Sequence, residues 1–437
     1  MNFLKPAKQL SKQAGLLVWC LLMFQAGFSY SQTGQWLNHG LSDKKITAIA
    51  KDVSIWDSPL YVVADSTEIY RWKRSDGRGW IKRNSNLPYG IICALEAMGD
   101  SCIFTGMDSG RVFRSKDAGF SWEQVFEYPS EITGEERKVT DLAAPETIPP
   151  WDDDRSLYAL VRDAQSLFGE VLLSDDLGES WREITGSLDV PVLCMGVASV
   201  IDWENGITTD EIFVGTIDSS DGQGGIYKSL DGGGTWVRLE NYPEAGCNKI
   251  AIGSYYSSFG MESDAKAIYT TDADDDLFVS LDEGETWTPI RISDVELLAA
   301  DKGDGSFYTY SKGKIFLGGG GMKYGDILVE YGIEPPATVF SMFAGQNVYG
   351  EDFSASGFEF YYEWEFYLGT DNGLFWLENI IVDVEHSEAE DLSVPLSHSL
   401  SQNHPNPFNG STVIEYTVAE KEGRLSRVIY HSLKYVS

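Results

Sequence analysis

Six aspartates fall at comparable places along the chain, each closing an apolar run beside small, turn-forming residues: Asp65, Asp108, Asp163, Asp218, Asp272 and Asp371. Thr105-Gly106-Met107-Asp108-Ser109-Gly110 and Gly369-Thr370-Asp371-Asn372-Gly373 show the pattern. A ring of carboxylates could bind a cation or the hydroxyls of a sugar. One of them could also act as a general base, but glycoside hydrolysis needs a second carboxyl at a set spacing. The sequence nominates no such partner. Asp before Ser-Gly or Asn-Gly is equally what tight hairpins prefer, so turn chemistry is the simpler account. Histidine narrows the field. Of five, only His39 precedes the tail, which holds His386, His398, His404 and His431. That excludes a Ser-His-Asp triad or a multi-histidine metal centre from the body of the chain. Two acidic runs, Trp151-Asp152-Asp153-Asp154 and Asp272-Ala273-Asp274-Asp275-Asp276, offer loop carboxylates of the kind calcium takes. Neither has the Asp-x-Asp-x-Asp-Gly order with a distal Glu. No cofactor is expected, and calcium is the one ion these runs leave open.

These side chains need a frame, and an octet that recurs four times supplies it. It reads SKDAGFSW at Ser115–Trp122, SDDLGESW at Ser174–Trp181, SLDGGGTW at Ser229–Trp236 and SLDEGETW at Ser280–Trp287. The starts lie 59, 55 and 51 residues apart, a period that belongs to propellers and solenoids. Asp117, Asp176, Asp231 and Asp282 can each bond the backbone of their own turn. Gly119, Gly178, Gly233 and Gly284 supply positive φ. Trp122, Trp181, Trp236 and Trp287 can each bury a large face between neighbouring sheets. The octet is therefore expected to be a hairpin corner with an aromatic bolt. It resembles the Asp-box, or BNR, repeat of sialidase-like and sortilin-like β-propellers. In that family the box is a structural corner shared by enzymes and non-enzymes, so it speaks for fold and not for chemistry.

Between about Gln35 and Glu378 the chain reads as short β-runs punctuated by Gly, Asp, Asn and Pro, with no amphipathic helix. Four strands make the repeating unit, and the octets join the third to the fourth. A degenerate octet, Arg74–Trp80, marks an earlier unit. Seven units result, at about 45–85, 90–128, 137–186, 190–241, 246–291, 294–332 and 337–379. The last is one strand short, whereas Gly34-Gln35-Trp36-Leu37-Asn38 looks like a fourth strand without its first three. Ring closure by the N-terminal strand follows, leaving only short, protected edges. The expectation is an all-β, seven-bladed propeller of four-stranded antiparallel blades, architecturally like WD40 and YVTN propellers. In such a ring the six turn aspartates lie opposite the octet corners, around the channel mouth.

Tyr61-Val62-Val63-Ala64-Asp65, followed by Ile69-Tyr70-Arg71-Trp72, is similar to a stretch of xyloglucan-cleaving Asp-box glycosidases. That resemblance implies Asp65 as general base. Those enzymes take their second carboxylate from a second propeller, and this chain has room for one. Their Arg-Thr before the Asp and Gly-Gly after it are here Val63-Ala64 and Ser66-Thr67. Sialidases carry an Arg-Ile-Pro motif, which is absent; Arg291-Ile292-Ser293 is the nearest echo. The reading that results is a non-enzymatic module binding a protein or glycan, as single propellers of this build do. A xyloglucanase-like glycoside hydrolase acting on a neutral polysaccharide is the alternative.

The N-terminus has Lys5, Lys8 and Lys12, an apolar run from Gly15 to Phe24, and Ser29-Tyr30-Ser31 before Gln32. Residues 1–31 read as a secretory signal peptide. The run is short for a membrane span, and nothing else in the chain is long and apolar enough. Net charge is −34; without the leader, 30 basic stand against 67 acidic residues, about −37. Such a surface repels nucleic acid and anionic lipid. Of the remaining cysteines, Cys93, Cys102, Cys194 and Cys247, none has metal-type spacing, and free thiols are the default with disulfides left open.

Residues 32–380 form the expected propeller, and 381–399 is an acidic, Ser-rich linker. From residue 400, Leu400-Ser401-Gln402-Asn403-His404-Pro405-Asn406-Pro407-Phe408-Asn409-Gly410 resembles the opening of the type IX secretion C-terminal sorting domain. About half of that small sandwich is present in 400–437. The resemblance implies the type IX machinery as a partner and an extracellular or cell-surface location, or a periplasmic one if the short tail is inactive. A monomer is expected.

Overall fold

The computed structural model describes residues 29–32, 35–52, 57–129, 137–145, 156–163, 169–186, 188, 190–202, 207–217, 224–242, 246–254, 266–301, 306–318, 335–354, 357–378, 382–385, 399–400, 412–419 and 425–432. Asp218, the run Trp151–Asp154, residues 1–28 and residues 401–410 lie outside them. The chain divides into two units, Trp36–Trp376 and a second made of Met1–Gln35 with Leu377–Ser437.

The larger unit is a seven-bladed β-propeller, with no α-helix among the described residues. Blade 1 comprises Ile46–Ala50, Leu60–Ala64, Glu68–Trp72 and Ile81–Lys82. Blade 2 comprises Ile92–Met98, Cys102–Met107, Arg111–Ser115 and Glu123–Glu127. Blade 3 takes Arg137–Ala143, Leu157–Asp163, Gly169–Ser174 and Arg182–Glu183. Blade 4 takes Val192–Asp202, Ile207–Thr216, Gly225–Ser229 and Val237–Arg238. Blade 5 is Lys249–Ser254, Lys266–Thr271, Leu277–Ser280 and Thr288–Pro289. Blade 6 shows Val295–Ala300, Phe307–Ser311 and Lys314–Gly318; its expected fourth strand falls at residues that are not described. Blade 7 is Val339–Ser354, Gly357–Thr370 and Gly373–Glu378, completed by the N-terminal strand Gln35–Gly40. The ring closes as the half-blades at the two ends of the sequence required.

One device repeats that the sequence reading did not register. In six blades the register between first and second strands shifts after an aliphatic residue that leads the first strand or, in blade 3, stands third in it: Ile46, Ile92, Val139, Val192, Val295 and Val339. A bulge bends its strand and increases local twist, which suits the strand nearest the axis. All six are buried.

The octets fold alike. Ser115 Oγ accepts the Gly119 amide (2.8 Å) and donates to Asp117 Oδ1 (2.8 Å); Asp117 in turn accepts the Ser121 amide (2.8 Å) and hydroxyl (2.5 Å). The same bonds recur around Asp176, Asp231 and Asp282. The octet glycines have φ of 82°, 88°, 85° and 93°. They also touch the preceding blade: a Cβ on Gly119, Gly178, Gly233 or Gly284 would run into Arg83, Phe104, Ile184 or Leu239. Each corner is thus an inter-blade contact as well as a turn.

Hydrophobic clusters lie between blades rather than within them. Tyr61 and Val63 of blade 1 pack with Leu95, Ile103 and Trp122 of blade 2. Ile46, Leu60 and Val62 of blade 1 pack with Tyr367 and Leu374 of blade 7. Each such aliphatic side chain removed from water contributes about 1.5–3 kcal/mol. In the smaller unit, Ser29–Gln32 pairs with Val382–Glu385, and Ser399–Leu400, Thr412–Ala419 and Leu425–Ser432 form a three-stranded sheet.

Candidate functional site

Asp65 sits in left-handed backbone (φ 51°) and accepts the Lys45 amide on Oδ1 (3.0 Å). Its Oδ2 meets the Lys44 ammonium at 2.8 Å, and Glu68 meets the same ammonium at 2.8 Å. Lys82 closes on the other Glu68 oxygen at 2.5 Å. Lys44, then the Lys45 amide, hold the Asp65 carboxyl below its ordinary range. Lys44, then Lys82, pull Glu68 down to about 2. Two carboxyls therefore meet here, but both are locked in the ionised form by lysines. Glycoside hydrolysis needs one of its pair protonated near neutral pH. This cluster supplies no such acid.

Other turns repeat the structural half of that arrangement. Asp108 Oδ1 accepts the Ile91 amide (3.2 Å), and the Asp108 amide donates back to the Ile91 carbonyl (2.9 Å). The Asp371 amide donates to the Thr338 carbonyl (3.1 Å). Lys45, Ile91 and Thr338 each immediately precede the first strand of the same blade. These aspartates thus pin the entry of the innermost strand. Asp163 is buried at the end of its strand, opposite Arg137 in register. Asp272 Oδ1 accepts two amides of its own turn, Asp274 (2.9 Å) and Asp276 (3.0 Å). Among the described residues, no three His, Cys, Asp or Glu side chains are grouped to hold a metal ion.

The space on the axis is a cavity of about 230 Å3 walled by all seven first strands, through Ala50, Ala97, Ala144, Val197, Ala251, Ala300 and Ala344 among others. That is somewhat below the roughly 300 Å3 at which drug-sized pockets begin. None of the five described turn aspartates lines it. Lys51, Asp52 and Glu96 do. Lys51 Nζ pairs with Glu365 at 2.5 Å, with both side chains almost wholly buried (4% and 3% exposed). Asp52 accepts the Gly99 amide (2.6 Å), and Glu96 accepts the Ala144 amide (3.3 Å). These groups stitch blade 1 to 7, 1 to 2 and 2 to 3. Nothing in the sequence around Lys51, Asp52 or Glu96 marked them, because each meets its partner across a blade boundary.

Solvent reaches a different feature. Tyr89 is 98% exposed and Ile91 49%, side by side on the connection from blade 1 to blade 2. The Ser66 carbonyl accepts the Ile92 amide (2.7 Å), so the Asp65–Ser66 turn abuts this connection from one side. Asp108 holds it from the other. The exposed Ile91 thus lies beside the Asp108 carboxylate, with exposed Tyr89 two residues before it on the same connection.

Fold and geometry together define a seven-bladed β-propeller with a small cavity on its axis and an exposed Tyr89–Ile91 pair on the connection from blade 1 to blade 2. Residues 34–328 match the DUF6242 beta propeller domain, and the chain belongs to that family. No curated protein matches it. Solved structures similar to the chain include YCF48 bound to a D1 peptide, at 11% identity and TM-score 0.45, covering 79% of this chain and 94% of that one. The GH74 xyloglucanase from Xanthomonas campestris is similar at 15% identity and TM-score 0.49, covering 88% of this chain and 59% of the enzyme. YCF48 from Cyanidioschyzon merolae follows at 13% and 0.43, covering 78% and 98%. Identities this low carry no statement of function. Among the described residues no helix is long and apolar enough to cross a membrane.

Proposed function

We propose that this protein is an exported, non-enzymatic binding propeller that holds a protein or glycan ligand on its turn face. The observation that carries the reading is the exposed Tyr89–Ile91 pair beside Asp108. An aromatic ring held fully in water can stack on a sugar face or anchor a protein contact, and neighbouring carboxylates take hydroxyls or cationic groups. Lys44 and Lys82 hold Glu68 ionised, so the carboxyl beside Asp65 cannot serve as the acid that the implied base would need. The four octets support membership of the Asp-box group, whose repeat builds scaffolds as readily as enzymes. Export rests on the leader at 1–31 and the sorting-domain resemblance from residue 400, with the type IX machinery as the transporting partner.

The test is a glycan array and a protein pull-down on the purified chain, with reducing-sugar release assayed on every glycan hit. Binding should fall at least tenfold in Tyr89→Ala and in Asp108→Asn, whose amide oxygen can still hold the Ile91 amide. Unchanged binding in both variants would move the site elsewhere. Sugar release that disappears in Asp65→Asn would overturn the reading and make the protein a glycoside hydrolase.

A further inference from the structure

Two thiols meet inside the propeller at a blade boundary. Cys194 lies in the first strand of blade 4, and Cys247 two residues ahead of the first strand of blade 5. Their sulfurs are 3.9 Å apart, in van der Waals contact, although 53 residues separate them in the chain. The Cys194 thiol also reaches the Cys247 carbonyl (3.6 Å), and the Cys247 thiol the Lys249 carbonyl (3.4 Å).

The place they occupy has a fixed geometry around the ring. A glycine in the second strand lets residues near the start of two adjacent blades approach: Gly106 under Val139, Gly369 under Ile46, and here Gly215. A Cβ on Gly215 would meet both sulfurs, at 2.5 Å from Cys194 and 2.8 Å from Cys247. The Cys247 amide donates to the Thr216 carbonyl (2.9 Å), and Ile217 pairs with Gly246, which holds the Cys247 backbone against blade 4. In blades 7 and 1 the equivalent contact is Ser341 Oγ donating to the Ile46 carbonyl. Only at the boundary of blades 4 and 5 are both contributors cysteines.

We propose that Cys194 and Cys247 form a disulfide that staples the first strand of blade 4 to that of blade 5. The sulfurs need to close from 3.9 Å to about 2.05 Å. The oxidant is a small disulfide or a dithiol–disulfide oxidoreductase. One thiolate attacks the oxidant's disulfide, forming a mixed disulfide and expelling one thiol; the second cysteine thiolate then displaces the other. Two protons and two electrons leave the cysteine pair, and one external disulfide becomes two thiols. In the folded protein burial holds the Cys194 thiol well above its ordinary range, so little thiolate is present. Oxidation is therefore tested during refolding, while both thiols can still meet the oxidant. The other two cysteines are ruled out as a pair. Cys102 faces Met98 in register, and Cys93 lies five residues further along that strand, roughly 17 Å away. This inference is independent of what the propeller binds.

The experiment refolds the full chain with mixed oxidised and reduced glutathione, alkylates it under denaturing conditions and digests it without reduction. The expected product is the tryptic peptide 183–228 linked to 239–249. Unfolding temperature should rise by about 5 °C or more over protein refolded in dithiothreitol, because the bridge closes a long loop. Both effects should vanish in Cys194→Ser and Cys247→Ser and persist in Cys93→Ser. Both comparisons on the unaltered chain decide the matter even if a variant fails to fold. Complete alkylation of Cys194 and Cys247, or a bridge to Cys93 or Cys102 instead, would overturn the proposal.

Discussion

At the scale of single residues, His39 is the side chain whose surroundings most exceed what its sequence neighbours announce. Its ring makes edge contacts with Trp72, Trp80, Tyr367 and Trp376 at centroid distances of 4.6, 5.7, 5.7 and 6.5 Å. Burial lowers its pKa to about 4, with Lys51 and Arg74 acting the same way. The folded protein therefore holds His39 neutral where the unfolded chain, near 6.5, begins to protonate. Between those values the unfolded state binds more protons, so stability falls as pH drops from about 6.5 towards 4. The expected loss between pH 7.5 and 5 is on the order of 2 kcal/mol by linkage. Thermal melts at both pH values should show that drop in the unaltered protein and much less of it in His39→Gln. Equal drops in the two proteins would remove His39 as the cause. The residues flanking it, Asn38 and Gly40, do not announce such a setting. Its cage is assembled from blades 1 and 7, whose strands meet only after ring closure.

At the scale of the element, the octet Trp has two ways to use its indole N–H. Trp122 donates to the Arg83 carbonyl (2.8 Å) and Trp236 to the Ile184 carbonyl (3.0 Å), both on the preceding blade. Trp181 and Trp287 instead donate within their own octets, to Gly178 (3.2 Å) and Gly284 (3.1 Å). Trp80 of the degenerate octet donates to the His39 carbonyl (2.9 Å) and so repeats the inter-blade form at the closure. Trp122→Phe leaves a carbonyl unpaired and a void in a fully packed site, an expected cost of about 2–4 kcal/mol. Trp287 is only partly buried and its bond is local, so Trp287→Phe should cost about 1 kcal/mol. Urea midpoints of the two variants decide it, and a Trp287→Phe penalty as large as that of Trp122→Phe would show the inter-blade bond to be unimportant. The octets were legible because their Ser, Asp and Gly bond one another within eight residues. The choice of indole partner was not, since identical letters in the four copies lead to different acceptors. The first-strand bulges were equally hidden: Ile46-Thr47-Ala48 and Val139-Thr140-Asp141 share no local turn signal, and the shift exists only relative to the second strand.

At the scale of the whole molecule, a ring has one joint where the two ends of its chain meet, and that joint must resist opening. Blade 7 solves half the problem by borrowing Gln35–Gly40. Lys51 and Glu365 solve the rest. They are 314 residues apart, join blade 1 to blade 7 on the channel side, and are almost completely shielded from water. The sequence could place Asp65, Asp108, Asp272 and Asp371 at turns, because turn chemistry is local. It could not anticipate that Lys44 clamps Asp65, or that the charged groups on the axis are Lys51, Asp52 and Glu96. A buried pair earns its keep only while both members are present, since removing one strands a charge. Glu365→Gln should therefore destabilise the propeller by about 3–5 kcal/mol, and Lys51→Met by a similar amount. The double variant Lys51→Met/Glu365→Gln leaves no charge stranded and should recover most of that loss, a coupling on the order of 2 kcal/mol or more. Additive losses in a double-mutant cycle, followed by chemical unfolding, would mean that each group is held by other partners and that the joint is closed by the strand and its hydrophobic cluster alone.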